Sequence, residues 1–471
     1  MKKLLLSLLA ISIICAVLPS LGPSQTSLIA NGAPKYVFLF LSEGAGPAHL
    51  EIARQYRQHI LNEGMVIVDK IMKEGSMGVM TTHAANSLST DSAAAATAMA
   101  IGCKARIGAL GVCADDTVTV SAMEIARRRG MKLGLATNST IYDASPAAFL
   151  CHVPNRKDYS SILQRYLEMA PDVLMGGGLD QFLPKSQPGS QRTDDSDTVA
   201  EFTKLGYQSV RNLPQLQRVG GGKVLGLFGL SEMSFEIDRD KQNEPSVYDL
   251  TQAAIRLLHS PRGFFAFIES ENIDRASHAS DIASVIHDYR EFDRAVGLAY
   301  EFYRKYPRET LIIVASDHES GGLGMTLALK DLSSSKGNNQ VAGSLRDFKK
   351  IQGIDISLQR AAKLLGTEPK SDAVDKLMAE HFPGFSLAPE FREKIVNSQF
   401  MSRTIFAEPV ANALGMMVAN NTQIYWQNTA HSNVPVLVAA LGVGAERFKG
   451  YYDNADFGKK LKALMEGKRH E

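Results

Sequence analysis

The sequence predicts an α/β protein, a three-layer α/β/α sandwich built on a central, mostly parallel sheet. Short apolar runs recur along the chain between turn-forming residues, and segments with helical periodicity alternate with them. The apolar runs are continuous rather than alternating with polar residues, which is typical of strands that are covered on both faces. These two patterns together indicate a doubly wound sheet with helices packed on each side.

The predicted strands and helices alternate over most of the chain. The strands cover residues 36–41, 132–136, 173–175, 224–228, 264–268, 311–315 and 434–440, and the clearest helices cover residues 247–259 and 282–306. From about residue 326 to 421 the alternation of strands and helices stops. Helical stretches at 357–365 and 372–381 are separated there by irregular sequence. We interpret this stretch as an insertion that forms a cap or a subunit contact within a single domain spanning residues 34–465.

The composition is that of an ordinary globular protein. The chain has 471 residues, of which 45% are hydrophobic and 21% are charged, enough to bury a large core. Lys and Arg number 51 against 50 Asp and Glu, which leaves a net charge of +1. The overall charge therefore does not predict binding to nucleic acid or to an anionic membrane, and any attraction for an anion has to be local.

The N-terminus has the pattern of a secretory signal. Met1, Lys2 and Lys3 form a charged start, and the apolar run 4–17 follows them. This run is too short for a convincing membrane span. We therefore expect residues 1–30 to be a signal peptide and the protein to be exported, either periplasmic or secreted, without a stable membrane anchor.

Three cysteines remain after the expected signal peptide. Cys103 and Cys113 flank a loop that contains glycine, and an oxidising compartment would allow them to close it as a disulfide. Cys151 stands in an apolar context and is interpreted as a buried free thiol. The alternative is that all three are reduced cysteines in the core.

Polar residues follow several predicted strands at the point where each strand ends. Ligands of open α/β sheets bind beyond the carboxyl ends of the strands, so these positions are the candidates for chemistry. The candidates are Glu43, Asp143, Ser145, Arg156, Glu269, Asp274, His278, Asp317, His318 and His431. Taken singly, each has an ordinary explanation as a helix cap or a solvated side chain. Taken together, five carboxylates at one sheet edge would repel one another unless cations held them.

Ser92 stands at the start of an alanine-rich helical stretch, 93–96, directly after Asp91. Backbone N–H groups at the first turn of a helix favour an anionic ligand. By itself, this pattern is also that of an ordinary N-cap. Beside the metal-ligating candidates it indicates a nucleophilic serine that attacks an anionic group.

The types of side chain also predict the metals. Three imidazoles beside carboxylates suit zinc, whereas the oxygen-only remainder suits magnesium; the oxygen donors are Glu43, Asp143, Ser145 and Glu269. Two Zn²⁺ and one Mg²⁺ carry more positive charge than the five carboxylates neutralise. With Arg156 added, positive charge remains for a phosphate dianion and a serine alkoxide, so the set predicts phosphoryl transfer.

These motifs closely resemble those of the alkaline phosphatase family, in the family's order and over about residues 34–445. The similar blocks are Thr90-Asp91-Ser92-Ala93-Ala94, Asp143-Ala144-Ser145-Pro146-Ala147-Ala148, His152-Val153-Pro154-Asn155-Arg156, Ile273-Asp274 with His278, Ser316-Asp317-His318 and Ala430-His431-Ser432. The resemblance implies a phosphomonoesterase with an alkaline pH optimum. It also implies a homodimer that acts on small phosphate monoesters.

The resemblance assigns roles to the zinc ligands and to the serine. It implies that Ser92 is the nucleophile and forms a phosphoserine. One zinc would be bound by Asp274, His278 and His431 and would activate the leaving oxygen and then the attacking water. A second zinc would be bound by Asp317 and His318 together with Ser92, lowering the pKa of the serine hydroxyl.

The resemblance also assigns the remaining polar residues. The bridging Glu43 would join Ser145 and Glu269 in holding a magnesium ion, and Asp143 would orient the water shell of that ion. The guanidinium of Arg156 would clamp two phosphate oxygens. Arg275 would supply a further cation near the phosphate.

Glu43 is the main departure from the family pattern. Relatives carry Asp at this turn between two glycines, whereas here the order is Ser42-Glu43-Gly44. The extra methylene shifts the carboxylate by about one bond length, which exceeds the tolerance of a preorganised site unless the backbone retracts. Whether the backbone retracts therefore decides the geometry of the bridge and the affinity of the third metal site.

Three other functions compete with this interpretation. A sulfatase would need Pro and Arg after its modified residue, which Ser92-Ala93-Ala94 does not supply. A phosphodiesterase of the same superfamily would have a two-zinc site without the residues of the third metal. This chain retains those residues as Asp143, Ser145 and Glu269, which favours monoesters. A catalytically silent metal- or phosphate-binding protein would bind its ligands without turnover, and release of nitrophenol from nitrophenyl phosphate distinguishes it.

Overall fold

The computed structural model describes residues 32–326, 345–398 and 408–468. The strands in these ranges are β1 (Tyr36–Ser42), β2 (Ser76–Thr81), β3 (Lys132–Thr140), β4 (Val173–Gly177), β5 (Tyr207–Val210), β6 (Lys223–Leu227), β7 (Phe264–Ser270), β8 (Thr310–Ala315), β9 (Glu319–Ser320), β10 (Leu323–Met325), β11 (Ile424–Trp426), β12 (His431–Ser432), β13 (Val436–Gly442) and β14 (Gly450–Asp453).

The α-helices are α1 (Pro47–Tyr56), α2 (Ser92–Ile101), α3 (Ala122–Arg128), α4 (Ala144–Ala148), α5 (Tyr159–Met169), α6 (Thr198–Lys204), α7 (Leu213–Arg218), α8 (Val247–Leu258), α9 (Asn272–His278), α10 (Ile282–Lys305), α11 (Leu358–Leu365), α12 (Ser371–His381), α13 (Pro389–Val396), α14 (Pro409–Thr422) and α15 (Asn454–Met465). Short π-helical turns at Arg57–Leu61 and Ile67–Met72 follow α1.

Ten of these strands form one sheet in the order β14-β2-β13-β8-β1-β7-β3-β4-β6-β5. Neighbouring strands are parallel throughout, except that β13 pairs antiparallel with both β2 and β8. The sheet is therefore mostly parallel, as the sequence predicts. Because β13 runs the other way, its first residues lie at the same edge as the last residues of β8.

The core lies on both faces of the sheet. Every residue of β1 is buried, and successive side chains of a strand point to opposite faces. Phe38 and Phe40 join the layer that contains α10, and Leu39 and Leu41 join the layer that contains α2. The two apolar layers explain why the strand sequences are continuously hydrophobic, and they complete the three-layer sandwich.

All seven predicted strands are confirmed, with small shifts of their ends. The last one begins at residue 436 rather than 434 and is the antiparallel strand of the sheet. The sequence missed β2, β5 and β14 because each is short or carries polar or glycine residues: β5 reads YQSV, and β14 reads GYYD. The predicted helices 247–259 and 282–306 correspond to α8 and α10.

The predicted insertion contains helices α11 to α13 and most of α14, so the helical stretches at 357–365 and 372–381 are confirmed. Its apolar residues join the core layer of α10, and Phe348, Ile351 and Ile395 are buried there. Residues 327–344 and 399–407 of the insertion lie outside the described residues. The role of the insertion as a cap or subunit contact stays a prediction.

The cysteine predictions are confirmed. Cys103 and Cys113 form a disulfide with their Cα atoms 5.7 Å apart, and Cys151 is a buried free thiol. Among the described residues, no helix is long and apolar enough to cross a bilayer. The predicted signal peptide lies outside the described residues.

Candidate active site

The sheet topology brings the predicted site residues to one edge. Strands β8, β1, β7 and β3 are consecutive neighbours in the sheet, and all four run in the same direction. Glu43, Asp143, Glu269 and Asp317 lie at or just beyond the ends of these strands. The reversed direction of β13 adds the segment before it, where the short strand β12 places His431 opposite Ser320 of β9.

Ser92 is the first residue of α2 and is 4% exposed. The Oδ1 atom of Asp91 accepts a hydrogen bond from Ala94 N at 3.0 Å and caps the helix. All ten residues of α2 are buried, and their small alanine side chains let the helix pack closely against α15 and α4. Ser92 Oγ lies 3.4 Å from His318 Nε2. The predicted nucleophile is therefore next to a predicted metal ligand.

The first possible metal site, the histidine-rich group, consists of Asp274, His278 and His431. His278 Nε2 lies 2.9 Å from Asp274 Oδ2 and 3.3 Å from His431 Nε2. The Nδ1 atoms bond backbone carbonyls, that of Thr429 for His278 at 2.8 Å and that of Thr90 for His431 at 2.9 Å.

These carbonyl contacts fix the tautomers of both rings. A carbonyl can only accept, so each Nδ1 carries a proton, and in the neutral form of the ring that binds a metal each Nε2 presents a lone pair. Two lone pairs facing each other would repel. Two nitrogens on one tetrahedral zinc are separated by about 3.3–3.4 Å, and the observed separation of 3.3 Å agrees with that value. The histidine-rich group therefore fits a zinc ion.

The second group, the serine-side group, consists of Glu43, Asp317 and His318. His318 Nε2 lies 3.1 Å from Asp317 Oδ2. The Oδ2 atom of Asp317 and the Oε2 atom of Glu43 are buried and accept no hydrogen bond from any residue that the structure describes. Both side chains are at most 2% exposed. Buried carboxylate oxygens without a donor fit a cation, and the nearby imidazole makes zinc suitable.

The third group, the carboxylate group, consists of Glu43, Asp143 and Glu271, whose ligand oxygens lie within 4.8 Å of one another. Glu269 lies close enough for its charge to act on Glu43, and Thr137 Oγ1 donates to Glu269 Oε2 at 2.6 Å. Within the described ranges, Glu269 Oε1 and Ser145 Oγ are buried without a hydrogen-bond partner. An oxygen-only set of this kind fits a hard cation such as Mg²⁺.

Burial and mutual repulsion make the ionised form of the carboxylates at this edge unfavourable when no cation is bound. Burial, followed by the charges of Glu269 and Asp317, raises the pKa of Glu43 well above its ordinary value. Burial and then the charge of Asp274 raise the pKa of Asp317. Burial also lowers the pKa of His318, so this ring is neutral and able to bind a metal. Cations would remove the repulsion among these groups.

Arg156 lies between two carboxylates at the start of α2. Its Nη1 atom donates to Asp91 Oδ2 at 3.3 Å, and its Nη2 atom donates to Asp143 Oδ1 at 2.9 Å. Burial alone would lower the pKa of the guanidinium, but the charges of Asp143 and Asp91 outweigh it and raise this pKa. The cation is therefore held in place next to the residue that precedes Ser92.

Arg275 forms two hydrogen bonds and one aromatic contact with neighbouring residues. Its Nη1 atom donates to the carbonyl of Met233 at 3.2 Å and to Asn272 Oδ1 at 2.7 Å. Its guanidinium lies 4.9 Å from the centre of the Phe235 ring. These contacts fix Arg275 beside the carboxylate group, and its role as a phosphate-binding cation stays a prediction.

Sequence reasoning missed two residues of this edge. Asp91 is interpreted from the sequence only as a cap, yet it also holds Arg156. Glu271 belongs to the carboxylate group but was not singled out, because the motif that carries Glu269 and Asp274 does not include it. The signal that was present is its position two residues beyond Glu269, directly after β7.

Gly44 explains how Glu43 reaches the other groups. Its φ angle is +72°, in the left-handed region that glycine adopts without strain. A Cβ atom at this position would collide with the Asp274 side chain. The turn after β1 can therefore press against α9 only because residue 44 has no side chain, and this contact brings Glu43 toward the zinc ligands.

Comparison with known proteins gives a consistent result. The chain matches the family model described as alkaline phosphatase over residues 34–466. The repressible alkaline phosphatase of Saccharomyces cerevisiae is 33% identical over 514 residues, which cover 99% of this chain and 87% of the yeast protein.

Solved structures agree with this match. The alkaline phosphatase of Thermus thermophilus superposes with a TM-score of 0.82 at 25% identity, covering 97% of each chain. The cold-active alkaline phosphatase of a psychrophilic Shewanella species gives a TM-score of 0.74 at 28% identity, covering 91% of this chain and 99% of the other.

The fold and the site define a class of protein, the metal-dependent hydrolases of phosphate esters. A mostly parallel sheet carries a buried serine and three groups of side chains that could each hold a metal ion at one edge. The chain belongs to the alkaline phosphatase family. It is a phosphatase that hydrolyses phosphate monoesters, and the predicted fold class, family and activity are confirmed.

Proposed function

We propose that the chain hydrolyses phosphate monoesters in two phosphoryl transfers through Ser92, at a site that holds two Zn²⁺ and one Mg²⁺. The observation that carries this proposal is the position of Ser92 Oγ, 3.4 Å from His318 Nε2 at the N-terminus of α2. A serine that only capped a helix would not need a neutral imidazole and buried carboxylates beside its hydroxyl.

Each of the three groups would hold one metal ion. The histidine-rich group would hold one zinc, and Asp317 and His318 would hold the other together with Ser92 Oγ. Glu43 belongs to both the serine-side and carboxylate groups, so it would bridge toward the magnesium. Ser145 and Glu269 would complete the magnesium site, with Asp143 orienting its waters. When bound, these ions supply positive charge that favours the serine alkoxide and the departing alkoxide.

The reaction then follows from the residues of this chain. Ser92 Oγ, having lost its proton to solvent, attacks phosphorus and the bond from phosphorus to the ester oxygen breaks. The departing alkoxide takes a proton from water and leaves as the alcohol. Water then attacks the phosphoserine, the bond from Oγ to phosphorus breaks, and inorganic phosphate departs. Because the Ser92 hydroxyl has to ionise first, we expect turnover to be highest at alkaline pH.

Arg156 and the first turn of α2 position the phosphate. The guanidinium is planar and can donate two parallel hydrogen bonds to two oxygens of a phosphoryl group. Asp91 and Asp143 hold it from either side, so its orientation is fixed before substrate arrives. Backbone N–H groups at the start of α2 add a favourable field for the same anion.

The phosphoserine is the step to test directly. Wild-type enzyme mixed with a phosphate monoester and quenched rapidly in acid should carry one phosphoryl group, and mass spectrometry of its peptides should place that group on Ser92. Hydrolysis of the ester with no phosphorylated peptide at any quench time would show instead that water attacks the substrate directly.

Arg156→Ala is expected to weaken phosphate binding by about 10- to 100-fold, the range for losing hydrogen bonds to a charged group. The inhibition constant of inorganic phosphate measures this effect. Arg156→Lys is the matched control: it keeps the charge but loses the paired donors, so its constant should fall between the other two. Phosphate inhibition as strong in Arg156→Ala as in the wild type would exclude the proposed clamp.

The remaining features complete the proposal. Residues 1–30 act as a signal peptide, and the mature protein is exported to the periplasm or medium; the Cys103–Cys113 disulfide supports this, since such bonds persist in oxidising compartments. The enzyme works as a homodimer on small-molecule monoesters, with the insertion at about 326–421 as cap or subunit contact in the single domain 34–465. Arg275 acts as a further cation near the phosphate.

A further inference from the structure

One residue of the carboxylate group has no role in the proposed function: Glu271. The geometry points to Glu271 as a direct ligand of the third cation, in addition to the residues assigned above. This inference rests on the proposed third metal site and adds one protein carboxylate to its ligands.

The position of Glu271 carries the inference. One of its carboxylate oxygens lies within 4.8 Å of ligand oxygens of both Glu43 and Asp143. The residue is 8% exposed, and its Oε2 atom accepts no hydrogen bond from the residues that the structure describes. Asn138 Oδ1 accepts a hydrogen bond from Glu271 N at 2.8 Å, which fixes the backbone between the end of β7 and the start of α9. Glu271 is thus a buried carboxylate, fixed at its backbone, that lies together with the proposed bridging ligand Glu43 and with Asp143.

The nearest cation does not satisfy this carboxylate. Arg275 Nε lies 3.9 Å from Glu271 Oε2, beyond hydrogen-bond distance, and Arg275 Nη1 donates to Met233 and Asn272 instead.

Glu236 shows how the same protein treats a buried glutamate that has a structural role. It is also 8% exposed, but Arg239 donates to both of its oxygens, from Nε at 2.7 Å and from Nη2 at 3.0 Å. Glu271 lacks such a pair of donors, because its Oε2 atom accepts no hydrogen bond from the described residues. The contrast indicates that this oxygen serves a ligand, since the Arg275 guanidinium does not hydrogen-bond it.

The charge at the carboxylate group leads to the same conclusion. Glu43 and Glu271 are both buried, and Arg156 forms its hydrogen bonds with Asp143 and Asp91 and with neither glutamate. Buried carboxylate oxygens that accept no hydrogen bond are costly, and a divalent cation shared between them removes the cost. Mg²⁺ in proteins usually keeps several waters. As a third carboxylate beside Glu43 and Glu269, Glu271 would replace one of these waters.

Glu271→Gln tests the inference, because it keeps the size of the side chain and removes its charge. Enzyme with zinc bound but without magnesium is titrated with Mg²⁺ in a calorimeter, and zinc is counted by elemental analysis. We expect the Mg²⁺ affinity to fall at least about 10-fold, with zinc content unchanged. The rise in Tm that Mg²⁺ causes should shrink in parallel.

Glu236→Gln is the control, since it changes an equally buried glutamate away from the metal groups and should leave Mg²⁺ affinity unchanged. Glu271→Asp provides a second test if Glu271→Gln does not fold: it keeps the charge on a shorter arm and should bind Mg²⁺ with intermediate affinity. Wild-type affinity in the folded variants, or loss of zinc along with magnesium, would overturn the role of Glu271. A wild-type enzyme that takes up no Mg²⁺ would instead refute the third site of the proposed function.

Discussion

Replacing Ser92 by alanine is expected to reduce kcat for a phosphate monoester by at least about 10³-fold, because no other group replaces a lost nucleophile efficiently. The variant should still bind zinc, since Asp317 and His318 remain in place and the histidine-rich group does not contain the serine. Release of nitrophenol from nitrophenyl phosphate at alkaline pH measures the loss. Elemental analysis of the same sample shows whether zinc is retained.

Ser89→Ala is the matched control for this experiment. It makes the same change three residues earlier, in the loop before α2, where the Ser89 hydroxyl lies 3.5 Å from Ser87 Oγ. Its turnover should be close to that of the wild type. An unchanged rate in Ser92→Ala would exclude Ser92 as the nucleophile, whatever the zinc content.

Removing the metals is expected to abolish turnover and to destabilise the fold. Glu43, Glu269 and Asp317 each have a buried oxygen without a donor in the described part of the chain, so their charges lose their compensation when the cations leave. An ion that binds only the folded state stabilises it by about 3 kcal/mol when its free concentration is roughly 100 times Kd. Chelation should therefore lower Tm markedly.

Thermal unfolding before and after treatment with a chelator, with turnover measured on the same samples, checks this expectation. Adding back Zn²⁺ and Mg²⁺ should restore both Tm and turnover. Ser92→Ala provides the control: it should show the same fall in Tm on chelation, because the stabilisation comes from the metals and not from the nucleophile. Full activity in samples shown by elemental analysis to contain no metal would contradict the account.

Most of the fold could be predicted from the sequence, because the central strands of a covered sheet have to be apolar along their whole length. β1 and β7 have that property, and every residue in each is buried. The prediction failed for β2 and β14, which lie toward one end of the sheet and expose Met77 and Tyr451. The direction of a strand could not be predicted either, since the apolar sequence of β13 does not show that it runs antiparallel to its neighbours.

The candidate site was predictable to the extent that its residues follow strand ends in recognisable motifs. Asp274, His278 and His431 were expected together, and their ligand atoms lie in one group. The side-chain contacts could not be predicted: the sequence does not show that Asp91 and Asp143 hold Arg156, or that Arg275 is bonded to the Met233 carbonyl. Glu271 joins the carboxylate group through the turn from β7 to α9, which only the folded backbone reveals.

Elemental analysis of the purified wild-type enzyme, with turnover measured before and after addition of Mg²⁺, tests the central claim most directly. The account predicts two zinc ions and one magnesium ion per chain in an active enzyme. Two zincs with no stable magnesium, and turnover that depends on added Mg²⁺, would locate a defect at the third site, where Glu43 stands in place of the family's Asp. An active enzyme that contains no zinc would contradict the account.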